Sequence, residues 1–94
     1  MAQTVINTAA TTANTSTTQT IGAGVSATFA IYAASGSIAA GQNAQLFYDT
    51  PGGNVPIPGG ALGINNPIVQ VAGPAQVICV KDPATASFGV LIET

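Results

Sequence analysis

The chain has 94 residues, of which 4% are charged, and its whole ionic inventory is Lys81, Asp49, Asp82 and Glu93. A typical soluble domain carries about 25% charged residues, so phosphate contacts, ion-pair networks and charge-driven solubility are largely excluded. One cysteine and no histidine exclude an internal disulfide and leave a zinc site without ligands. A single domain this small buries only about 60–65% of its unfolded surface and needs support from elsewhere. Self-association is the support that remains.

Residues 1–20 differ from the rest. Thr8 to Thr20 is a low-complexity Thr/Ala/Asn/Ser stretch without a large apolar side chain, so it cannot order itself by burial. Its β-branched threonines still favour extended backbone once a partner strand is present. The segment therefore reads either as a first strand with a loose loop or as an extended arm anchored by Val5 and Ile6. An arm of this kind predicts that residues 2–20 serve attachment more than folding. Residues 21–94 read as one β domain.

From Val25 to Ala33 the pattern alternates, with Val25, Ala27, Phe29 and Ile31 inward and Ser26, Thr28, Ala30 and Tyr32 outward. Ala44–Asp49 is a second strand, with Leu46 and Tyr48 on one face and Phe47 on the other. Pro51-Gly52-Gly53-Asn54 is a turn signal. Val55–Gly60 is extended, but Pro56 and Pro58 confine it to a sheet edge or a connector. Ala61–Ile64 and Ile68–Val71 are short strands. Gln76–Lys81 is apolar at nearly every position, which predicts a central strand. In the last strand Phe88, Val90 and Ile92 share a face. The sum is an all-β fold, a small antiparallel sandwich or barrel of about six to eight short strands.

Catalytic chemistry finds few tools here. Asp49, Asp82 and Glu93 are scattered, and Asp82 beside Lys81 and Pro83 flanks a turn. Cys79 lies inside an apolar run, where a thiol behaves as a small hydrophobe. The glycine pairs lack the Lys-Ser/Thr of a phosphate loop and precede no helix. No catalytic, cofactor or metal constellation is expected, and no small-molecule substrate. One lysine makes nucleic acid an unsuitable partner. Apolar runs fall short of the roughly 18 residues needed to span a bilayer, and no secretory leader is visible at Met1.

Binding must then rest on main-chain hydrogen bonds and apolar contact. The candidate partner contacts are Val5, Ile6, Thr11 and Thr12 in the N-terminal segment, with the outward aromatics Tyr32 and Phe47. The Thr/Ser-rich start, the run Phe29-Ala30-Ile31-Tyr32-Ala33-Ala34, and the segments Val71–Lys81 and Gly89–Thr94 together resemble small β-sandwich decoration (cement) proteins of tailed bacteriophages. The resemblance covers roughly residues 25–94 and is one of general style. It implies a subunit, often a trimer, that sits on the outer surface of the capsid and braces the major capsid protein. It also implies synthesis in the host cytoplasm and residence in the virion. Another virion module (head-fibre base, tail or adsorption protein) and a pilus-like adhesion subunit are the alternatives.

Overall fold

The computed structural model describes residues 3–94, and Met1 and Ala2 lie outside the described residues. The fold is all-β. In chain order the strands are β1 (Gln3–Ala10), β2 (Asn14–Thr15), β3 (Gln19–Ile21), β4 (Ser26–Ala33), β5 (Ala44–Thr50), β6 (Gly53–Leu62), β7 (Ile68–Ala72), β8 (Ala75–Lys81) and β9 (Phe88–Glu93). They form two antiparallel sheets, one ordered β1-β9-β4-β7 and the other β2-β8-β5-β6, with β3 also paired to β8. Only β5 and β6 make a hairpin within one sheet; β2 and β3 follow each other along β8, and every other connection crosses between layers. At that hairpin Gly53 adopts φ +122°, which a side chain would disfavour.

The core lies between the layers, and strand period two explains its membership. Ala27, Phe29 and Ile31 of β4 meet Leu46 of β5, Val77 and Cys79 of β8, and Phe88, Val90 and Ile92 of β9. As its uninterrupted apolar run predicts, β8 is central. As its prolines predict, β6 lies at a sheet edge. Val25 departs from the expected inward set: it precedes the strand, closes a turn on Gly22 O, and is 42% exposed.

The N-terminal segment is extended, but along its own domain. β1 pairs with β9 from Gln3↔Glu93 to Ala10↔Phe88, and Asn14–Thr15 and Gln19–Ile21 pair with β8 where a loose loop was the expectation. Residues 3–20 therefore follow the first-strand alternative and belong to the folded sandwich rather than to a free arm. Threonines without apolar bulk are ordered here because β8 and β9 offer them open edges. Buried polar groups fix the crossing. The Asn7 side-chain amide donates to Asn14 Oδ1 at 2.6 Å and to Cys79 O at 3.2 Å. Ser16 N–H donates to Cys79 O at 2.8 Å, and Ser16 Oγ accepts from Cys79 N–H at 2.9 Å. Ser16→Ala would leave that buried N–H without a partner. The expected loss is about 2 kcal/mol in a urea titration, the cost of one orphaned buried donor.

Candidate functional site

Register turns the outer face of the β1-β9-β4-β7 sheet into ordered rows. Val5 lies opposite Leu91, Leu91 opposite Ala30, and Ala30 opposite Ile68, so one apolar row crosses all four strands. Its ends are open, with Val5 53% and Ile68 59% exposed, while Leu91 and Ala30 are half-buried. The next row is polar: Gln3, Glu93, Thr28 and Gln70. Gln3 Nε2 donates to Glu93 Oε2 at 2.8 Å, and Gln70 Nε2 donates to Thr28 Oγ1 at 3.4 Å. On the other side of the apolar row Tyr32 lies opposite Gly89. A Cβ at Gly89 would stand 2.7 Å from the Tyr32 hydroxyl and 2.6 Å from Asn7 O, so glycine there lets the ring lie flat across β9 toward β1.

The predicted contact residues separate. Val5 and Tyr32 belong to this face. Phe47 lies half-buried on the outer face of the opposite sheet, between Pro56 and Ile78. Thr11 and Thr12 are exposed at the bend where the chain leaves β1, and Thr11 O accepts the Ala84 N–H at 2.9 Å. Ile6 is corrected as a contact residue. The pairing slips between Val5 and Asn7, making Ile6 the extra residue of a bulge, and its side chain packs on the core. Leu91, Ala30 and Ile68 were not among the sequence candidates. Each lies on a strand with apolar residues on both faces, so only register shows that they align.

The one lysine is in the interior. Lys81 has 0% of its surface exposed, donates from Nζ to Ala10 O at 2.8 Å, and lies 4.5 Å from the centroid of the Phe88 ring. Burial lowers its pKa. The ring and the carbonyl dipole are its only close stabilisers, since no carboxylate among the described residues pairs with it. Exposed charge on the described residues is thus negative only. Burial pushes the Cys79 thiol up to about 12, which makes it a poor nucleophile. Among the described residues no three His, Cys, Asp or Glu side chains gather as a metal site. A depression of about 170 Å³ beside Asn43, Leu62, Ile64 and Asn66 is open and uncharged. Among the described residues no helix is long and apolar enough to cross a membrane.

The outer face of this sheet thus offers an apolar row bordered by amide, carboxylate and hydroxyl groups. No protein-family model, no curated protein and no solved structure matches this chain.

Proposed function

We propose that the protein is a structural virion subunit, a decoration or cement protein that binds the outer surface of the major capsid protein lattice and stabilises the shell. On this reading it is made in the host cytoplasm, resides on the capsid surface, self-associates and catalyses nothing. The observation that carries it is the apolar row Val5–Leu91–Ala30–Ile68, bounded by an amide-rich row and by Tyr32. Such a face suits a flat protein surface, where apolar contact supplies affinity and a hydrogen-bonding rim supplies register. A sandwich with three scattered side-chain carboxylates, of which only Asp82 is exposed rather than half-buried, and no exposed lysine has little use for charged ligands. A pilus-like subunit awaiting a donor strand is less well supported, because β1 already pairs along β9 within the same chain.

The test mixes the purified chain with expanded capsids lacking decoration and measures the protein that sediments with them. Val5→Asp should lower apparent affinity by about tenfold or more, as expected for a charge placed in an apolar contact. Because Val5 is exposed, stability should change by no more than about 0.5 kcal/mol. Gln45→Asp, on the outer face of the opposite sheet, should bind like the unaltered protein. Equal binding by all three proteins would reject this face as the attachment surface.

A further inference from the structure

We propose that β7 is a self-pairing edge, through which two copies of this chain join their four-stranded sheets into one across a two-fold axis at Gln70. This does not depend on what the protein attaches to.

The ladder shows which groups are free. Ile31 N–H donates to Pro67 O at 3.0 Å and Gly73 N–H to Val25 O at 2.8 Å, framing the β4–β7 pairing. Every second pair in an antiparallel ladder is hydrogen-bonded. Val69 and Val71 therefore spend their main-chain groups on Phe29 and Ala27. The N–H and C=O groups of Ile68, Gln70 and Ala72 point away from β4. Among the described residues none of these groups has a protein partner, and all three residues are exposed.

The other sheet edges are protected, and this one is not. β6 carries Pro56 and Pro58, β1 has two register shifts along β9, and the β2/β3 edge is interrupted between residues 15 and 19. β7 pairs with β4 without a shift and contains no proline and no charge. A flat, uncharged, apolar edge is the kind that pairs with another chain.

Its register is also self-complementary. Antiparallel pairing about Gln70 sets Ile68 opposite Ala72, Gln70 opposite Gln70, and Ala72 opposite Ile68. All three are hydrogen-bonded pairs, giving about six main-chain bonds. The polar row then continues through the axis as Gln3-Glu93-Thr28-Gln70 followed by the same residues in reverse. The two Glu93 carboxylates stay about 24 Å apart, five strand spacings, well beyond the Debye length of about 8 Å. A ring of three would instead require β7 to meet a different, protected edge, so the geometry favours a pair over a trimer. Five residues make an edge about 17 Å long, less than a stable standard interface needs, so the pair should be weak and concentration-dependent.

Sedimentation equilibrium of the full chain from about 10 µM to about 1 mM covers the range in which so small an interface dissociates. A monomer–dimer equilibrium is expected. Ile68→Lys and Gln70→Pro should each weaken it by about tenfold or more, the latter by removing one edge-facing N–H from each copy. Neither variant touches a main-chain bond to β4, although Gln70→Pro also removes the long side-chain contact from Gln70 Nε2 to Thr28 Oγ1. Gln70→Cys provides a second readout, because a hydrogen-bonded pair places its Cα atoms about 5.5 Å apart, within disulfide range. Under mild oxidation it should form a covalent dimer faster than Gln76→Cys, an exposed control on the other sheet. Three results would overturn the proposal: a monomer throughout, an oligomer indifferent to Ile68→Lys, or Gln70→Cys cross-linking no faster than the control.

Discussion

Deleting residues 2–20 is expected to abolish cooperative folding. The deletion removes β1, β2 and most of β3, which cover open edges of both sheets. It takes away Ala10 O, the hydrogen-bond acceptor of buried Lys81, leaving a cation in the interior at a cost of several kcal/mol. It also removes both partners of the Cys79 main chain, Ser16 and the Asn7 amide, at about 1–3 kcal/mol for each orphaned group. Phe88 and Val90 lose the strand beside them. Together these losses rival the whole stability of a small domain, about 5–15 kcal/mol. Calorimetry should show no heat-absorption peak, and amide proton shifts should collapse to a narrow range. A truncated chain that still melts sharply would contradict the pairing of the first strands described above. Attachment is therefore better probed by point changes on the sheet face than by truncation.

Alkaline stability should be governed by two buried groups acting in opposite directions. The Cys79 thiol ionises near 9.0 when unperturbed but is held to about 12 in the fold. Above pH 9 the unfolded chain releases that proton and the folded chain keeps it. Stability then falls by about 1.4 kcal/mol per pH unit, reaching about 4 kcal/mol by pH 12. Lys81 has the opposite sign. Its folded pKa lies below the ordinary 10.5, so the folded chain gives up its proton first and stability rises with pH until 10.5 is passed. Cys79→Ala should remove most of the alkaline loss, at a neutral-pH cost of about 1–2 kcal/mol for the space left by sulfur. Lys81→Met keeps the length of the side chain and discards a buried charge that has no carboxylate. It should be the more stable protein at pH 7, and the difference should shrink as pH rises toward 10.5. Urea midpoints from pH 7 to pH 12 for the three proteins would check both signs. A Lys81→Met protein less stable than its parent at pH 7 would mean that the Phe88 ring and the Ala10 carbonyl outweigh desolvation.

The proposed attachment face shows how far residue pattern reaches. Tyr32 was legible as outward because β4 alternates cleanly, with Ala27, Phe29 and Ile31 on its other side. Phe47 was legible in the same way, but it sits on the opposite sheet, and nothing in a single strand says to which layer it belongs. Ile6 was named beside Val5, yet period two sends neighbouring residues to opposite faces: Val5 stays outside, Ile6 packs on the core, and the bulge turns Asn7 inward as well. Lys81 was legible as the last residue of the Gln76–Lys81 strand but not as buried, although Val77, Cys79 and Lys81 fall on one face by the same period. Apolar residues at 78 and 80 hid which face was inner.

Several properties follow from the linear chain alone. Turn residues every few positions, β-branched and aromatic alternation, and a scarcity of helix formers specify short antiparallel strands. Two prolines place Val55–Gly60 at an edge, and unbroken hydrophobicity places Gln76–Lys81 at a centre. These are local matters, settled by torsional preference and by the side on which each residue falls. Which strands become neighbours is not local. The course of the Thr-rich start along β8 and β9, the burial of the lone cation against Phe88, the apolar row across four strands and the free edge of β7 all depend on pairing between segments far apart in the chain. That pairing is chosen by the best simultaneous satisfaction of main-chain hydrogen bonds and packing over the whole domain.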